Sequence, residues 1–217
     1  MENKQKPDKH DTEEIVKLTA QYEEKQKEVS ILSILLGNVF LFGVWGYIGI
    51  WLWQGSERDT YILDMFYVGH IGLDLIVGLG TAVAFMLFIY IGTSRNLLLF
   101  PENKYTQPMR KAASMKFGPL CLGLSSGIPE EWLFRGLLFG FLASVMHPLL
   151  AIAVASLIFM GIHIPQYKGH LGIHIYIFIY SIAMCVMFWQ LGTLWGPMLA
   201  HVVYNVVVFY WVRHGRL

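Results

Sequence analysis

From Val29 to Val212 the chain alternates long apolar runs with short polar breaks. A helix of about 20 apolar residues is long enough to cross the hydrocarbon core of a bilayer. The pattern predicts a first such helix over about Val29–Trp53 and, after the polar turn QGSERDT, a second over about Tyr61–Ile91. Residues 92–114 mix Pro101, Pro108 and basic residues with the apolar stretch LLLF, which predicts a surface connection with an interfacial segment. The run from Met115 to Val145 is interrupted at SSGIPEE, where Gly127 and Pro129 are expected to kink or restart the helix just ahead of two carboxylates. Three further helices are expected at Leu149–Ile164, Leu171–Gln190 and Trp195–Val212. The expected fold is all-α: a polytopic membrane bundle of about six transmembrane helices with no internal repeat.

Composition supports a membrane protein. Of 217 residues 55% are apolar and 14% charged, against about 25% charged in soluble domains, and the mean hydropathy is +0.51. A net charge of +1 gives no basis for nucleic-acid binding. Cys121 and Cys185 lie in apolar stretches without CxxC spacing, so neither a disulfide framework nor a thiolate metal site is indicated.

Residues 1–28 carry six lysines and eight acids, with a Glu and Lys spacing that predicts a short solvated helix. So long a polar stretch is a poor signal peptide, which leaves Val29–Trp53 as a retained anchor. Six spans put both termini on one side. The N-terminal lysines, Arg95, Lys104, Arg110, Lys111, Lys116, Lys168, Arg213 and Arg216 all fall on that side, and Arg58 alone on the other. By the positive-inside rule the N- and C-termini are cytoplasmic and the chain is a multi-pass protein of the cell membrane. The expected divisions are 1–28, a charged cytoplasmic segment; 29–114, two helices and an interfacial loop; 115–212, a helix bundle with a polar cluster; and 213–217, a cytoplasmic tail.

That cluster is the main chemical signal. Glu130, Glu131 and Arg135 stand in GIPEEWLFRGLLFG, His163 closes FMGIH, and His201 and Asn205 stand in LAHVVYNVVVF. Ionisable groups at hydrocarbon depth cost at least a few kcal/mol, so their presence points to function. Glu131 and Arg135 are an i,i+4 pair able to neutralise each other, whereas Glu130 and Arg135 lie about 140° apart around a helix. Glu130 is thereby left as a carboxylate able to take a proton from water, with an imidazole such as His163 sharing that water. His201 and Asn205 are one turn apart on one face and can offer two donors to an oxyanion. Asp74 is a further intramembrane acid without a motif around it, read as a polar anchor in a small-residue face; His70, His170 and His174 are read as ordinary.

The three patterns EExxxR (Glu130, Glu131, Arg135), FxxxH (Phe159, His163) and HxxxN (His201, Asn205), in this order and on apolar helices, resemble the CPBP family of intramembrane proteases, also called Abi. That family includes CAAX prenyl endopeptidases and bacterial members linked with bacteriocin processing and self-immunity. The resemblance covers about Met115 to Tyr210. It implies a glutamate-type endopeptidase in which Glu130 and His163 activate water, His201 and Asn205 stabilise the oxyanion, and Glu131 and Arg135 support them. The expected partner is a membrane-associated peptide or protein substrate, prenylated or of the bacteriocin-precursor kind, in the lipid bilayer and without nucleic acid. No cofactor is expected.

Three other readings compete. Two histidines and a carboxylate can hold zinc and leave a position for water, and Glu130, His163 and His201 supply that set, although no HExxH pair is present. A non-catalytic immunity or scaffold protein would use the same residues for packing. A proton-coupled transporter would be expected to show repeated halves. The shared site also makes a geometrical demand: with simple alternating spans His163 lies toward the cytoplasmic end of helix four and His201 near the outer end of helix six. Helix four must extend toward Lys168, helix six must start nearer Gly192, or the helices must tilt.

Overall fold

The computed structural model describes residues 31–217, and its regular elements are all helical. The helix expected within residues 1–28 lies outside the described residues. Helix α1 covers residues 31–54, with π-helical turns at Val39–Val44 between Ile31–Asn38 and Trp45–Gln54. Helix α2 is Arg58–Met65, α3 is Ile71–Ser94 and α4 is Thr106–Ser114. Helix α5 covers residues 118–145, with Gly118–Glu131 followed by π-helical Trp132–Phe139 and then Gly140–Val145. Helices α6, α7 and α8 are Pro148–Ile162, Leu171–Leu191 and Trp195–Arg213.

Two sequence expectations are corrected. The second long helix starts at Ile71, not Tyr61. Gly55 ends α1 at φ 55°, a backbone value that suits a residue without Cβ, and redirects the chain into α2. There Tyr61 and Ile62 pack on a core containing Ile50 and Met65, and the Tyr61 hydroxyl donates to the Gly136 carbonyl at 2.6 Å. Their hydrophobicity serves a protein contact. The second correction concerns Pro129: the helix does not restart there but runs through it. The irregularity falls downstream, in the widened turns Trp132–Phe139, which absorb a local mismatch in hydrogen-bond register without breaking the helix.

Among the described residues four helical stretches are long and apolar enough to cross a membrane: Leu32–Met65, Ile71–Ser94, Leu171–Leu191 and Trp195–Arg213. Helix α5 is as long but carries Glu130, Glu131 and Arg135, and α6 has only 15 residues. Large apolar side chains face outward, with Ile76 72% and Leu52 70% exposed. Helices apolar on all sides are at home in lipid. The chain is an integral membrane protein.

Helix α8 packs between α3 and α5 at very short range. A Cβ on Gly78 would lie 2.7 Å from the Gly196 carbonyl oxygen, and one on Gly127 would lie 2.8 Å from the Val202 nitrogen. Gly123 and Gly127 form a small-xxx-small step of the kind that lets membrane helices approach backbone to backbone. This contact sets the distance between the α5 carboxylates and the polar residues of α8.

Asp74, fully buried, pins the far end of α8. One carboxylate oxygen accepts from the Thr193 hydroxyl in the turn before α8, and the other pairs with His70 Nδ1 at 2.9 Å. The Leu194 N–H donates to the Met65 carbonyl at 2.8 Å in the same turn. Thr193 is a partner that no local sequence pattern announces, whereas His70, at i,i+4 to Asp74, is a local one and so is not an ordinary histidine. Asp74→Ala leaves Thr193 without its acceptor and is expected to cost about 1–3 kcal/mol. Thermal unfolding of the purified protein checks this, and an unchanged melting temperature refutes it.

Candidate active site

The π-helical stretch of α5 begins directly after the two adjacent carboxylates. Successive residues on a helix are about 100° apart, so Glu130 and Glu131 cannot face the same neighbours. Glu131 points into the protein and is fully buried together with Arg135. Its Oε1 accepts from Arg135 Nη1 at 3.0 Å and from His201 Nδ1 at 2.6 Å. Arg135 Nη2 donates to the Ser181 hydroxyl oxygen at 3.0 Å, and the guanidinium stacks over the Phe159 ring at 4.6 Å. One carboxylate therefore ties α5 to α8, and its guanidinium partner extends the link to α6 and α7.

Glu130 faces the other way, into a cavity of about 150 Å³ also lined by Ser126, His163, His201 and Asn205. The structure thus gathers all four proposed working residues around one space. The His163 and His201 rings both contact a single phenyl ring, with centroids 4.8 and 6.3 Å from that of Phe159. Neither helix lengthens to achieve this, since α6 ends at Ile162 and α8 starts at Trp195. Helix α6 is short, about 22 Å against a hydrocarbon core of about 30 Å, so its C-terminal end need not reach the membrane surface. The His163 side chain also folds back one turn to place Nδ1 2.8 Å from the Phe159 carbonyl.

Hydrogen bonds define the protons. A carbonyl only accepts, so His163 carries a hydrogen on Nδ1, and the neutral ring presents Nε2 as a lone pair. Asn205 Nδ2 donates to the Ser126 hydroxyl oxygen at 2.7 Å, leaving its second hydrogen uncommitted by that bond. Tyr167, in the connection after α6, lines the same cavity. Burial, followed by the Glu130 carboxylate, pushes its phenol up to about 12, so it is neutral at physiological pH.

Ser126 and Ser181 were not singled out in the sequence, and both are bound to motif residues. Ser181 interrupts an otherwise apolar helix, a signal too common to act on alone. Among the described residues no three His, Cys, Asp or Glu side chains are grouped so as to hold a metal ion. The possible zinc set Glu130, His163 and His201 is not arranged as one, and His201 Nδ1 is committed to Glu131.

Residues 114–207 match the family model described as Rce1-like, type II CAAX prenyl endopeptidase Rce1-like. This stretch of the chain is similar to that family. It runs from the end of α4 through most of α8, contains every residue of the three motifs, and agrees with their resemblance to the CPBP proteases. No curated protein and no solved structure matches the chain.

The Glu131, Arg135 and His201 cluster generates a prediction about stability. Arg135→Met keeps the volume but leaves a fully buried carboxylate without its guanidinium and with only His201 on Oε1, at an expected cost of about 3–5 kcal/mol. Arg135→Lys recovers only part of it, because an ammonium cannot reproduce the planar fork that reaches Glu131 and Ser181 together. Melting temperatures in one detergent should rank wild type, lysine, then methionine, and equal values would refute the account.

Proposed function

We propose that this protein is an intramembrane endopeptidase of the CAAX-protease type, hydrolysing a peptide bond in a membrane-associated, isoprenylated protein of the cell membrane. The observation that carries this reading is the convergence of Glu130, His163, His201 and Asn205 on one cavity inside the Rce1-like stretch.

The chemistry runs through a water held between Glu130 and His163. The Glu130 carboxylate, with the His163 Nε2 lone pair beside it, takes a proton as the water oxygen attacks the substrate carbonyl. The carbonyl oxygen becomes an oxyanion beside the free Asn205 amide hydrogen and, when the ring is protonated against Glu131, the His201 Nε2–H. Protonated Glu130 then delivers its proton to the departing amine, which balances the hydrolysis. Glu131 and Arg135 do not touch the substrate: they hold the His201 ring by its Nδ1. No step needs a metal.

The surroundings suit a lipidated substrate. Glu130, Ser126 and His163 also border a second groove, between α1, α4 and α6, whose walls include Leu41, Phe42, Trp45 and Ile162. An apolar chain could lie in that groove while the attached peptide reaches the carboxylate.

Glu130→Gln and His163→Ala are expected to lower cleavage of a farnesylated peptide with a CAAX-type tail by at least about 10³-fold, with normal membrane insertion and yield. Full activity of both variants would remove the assignment. Purified active protein is expected to contain no stoichiometric zinc and to survive chelation, and loss of activity on chelation with recovery on zinc addition would favour the metal-dependent form. If the residues serve only packing in an immunity or scaffold protein, Glu130→Gln leaves function intact.

A further inference from the structure

Five buried side-chain polar atoms have no hydrogen-bond partner among the described residues: Glu131 Oε2, Arg135 Nε, His174 Nε2, the Tyr180 hydroxyl and Trp195 Nε1. Of these five residues, only Tyr180 lines the cavity shared by Glu130, His163, His201 and Asn205. Buried hydroxyls are nearly always paired, because leaving one unpaired costs stability. One that lines a candidate active site without a protein partner is placed to bond what enters it.

The ring is well fixed. Tyr180 is 4% exposed, and its ring meets the His201 ring edge-on at 5.4 Å and the Phe85 ring edge-on at 4.9 Å. Tyr204 packs on another side at 5.2 Å. Such packing leaves the hydroxyl little freedom to seek a partner elsewhere. Tyr176, one turn earlier on α7, differs in spending its hydroxyl on the Phe85 carbonyl at 3.1 Å.

A second observation shows where a donor is needed. His201 Nδ1 lies 2.6 Å from a carboxylate oxygen, which can only accept, so Nδ1 holds the ring hydrogen. In the neutral imidazole Nε2 is then an acceptor and cannot donate to an oxyanion. Asn205 has already given one amide hydrogen to Ser126. With a neutral His201 ring the HxxxN residues supply one free donor, and an oxyanion site ordinarily uses two.

We propose that the Tyr180 hydroxyl is a catalytic hydrogen-bond donor, binding the substrate carbonyl oxygen alongside Asn205 as that oxygen becomes the tetrahedral oxyanion. The phenol keeps its proton throughout, and no covalent bond to it forms or breaks. This rests on the peptidase reading above. It gives the hydroxyl, which no protein group among the described residues binds, a partner in the transition state.

The test uses the purified full chain in lipid nanodiscs with a farnesylated, internally quenched peptide ending in a CAAX-type sequence, comparing wild type, Tyr180→Phe and Glu130→Gln. Tyr180→Phe retains the ring and its packing. Its kcat is expected to fall on the order of 10- to 100-fold while KM stays within about threefold, as for loss of a donor used only in the transition state. Its melting temperature is expected to be unchanged or higher, since only an unpaired hydroxyl is removed. Wild-type kcat in Tyr180→Phe overturns the proposal. So does a lower melting temperature, which marks the hydroxyl as a structural bond. Failure of the wild type to cleave the peptide, or full cleavage by Glu130→Gln, overturns the prenyl-peptidase reading itself.

Discussion

The structure around the site depends on one carboxylate oxygen. Glu131 Oε1 is shared by the Arg135 guanidinium and the His201 imidazole with no access to solvent. Isolated in hydrocarbon, either charge would be prohibitive, and together they become the fixed point to which α5 and α8 are tied. Arg135 carries the tie onward, to Ser181 on α7 and to the face of Phe159 on α6. Four helices thus meet at one ion pair. Because Phe159 also contacts the His163 and His201 rings, the residues proposed to do chemistry stand around the aromatic side of that same knot.

So close a meeting is possible only because the backbones are allowed to touch. Without Gly123 and Gly127 on α5, Val202 could not approach as it does, and His201, one residue away, would lose its reach to Glu131. At the other end of α8, Asp74 binds Thr193 and fixes the turn from which the helix starts. In lipid no hydrophobic drive presses helices together, so small residues and a few buried polar bonds must do this positioning. The polar residues outside the motifs, Asp74, Ser126 and Ser181, act in this way.

Much of this was legible in the sequence because membrane helices are written in long apolar runs, and because polar residues inside such runs stand out. The last three helices fall within two residues of their expected ends. What was not legible has physical causes. Tyr61 and Ile62 are as apolar as lipid-facing residues, and nothing local distinguishes packing on Met65 from packing on lipid. Pro129 has the local signature of a break, yet the helix continues through it and shifts its irregularity into the following π turns. The two histidines appeared to lie at different depths because an alternating-span scheme gives every helix full length; α6 is short, and the His163 side chain folds back on it. Thr193 and Arg135, which bind Asp74 and Ser181, lie more than forty positions from them, beyond any local pattern, whereas His70 stands at the local i,i+4 spacing to Asp74.

The doubled glutamate shows how far one step along a helix can separate two chemically identical groups. A rotation of about 100° sends Glu131 into a dry, fully bonded interior and Glu130 into a cavity. The first is committed to two hydrogen-bonding partners; the second lines the cavity, with no hydrogen bond to a protein group among the described residues. A water-activating base needs an uncommitted carboxylate, and a fixed imidazole needs a committed one. Placing both in consecutive positions ties the position of the base to that of the anchor within one helical turn, so motion of α5 as a rigid body cannot separate them. The π turns begin immediately after, at Trp132. The change of helical register therefore falls between the glutamates and Arg135, where it sets the direction from which the guanidinium approaches while leaving the division between the two carboxylates intact.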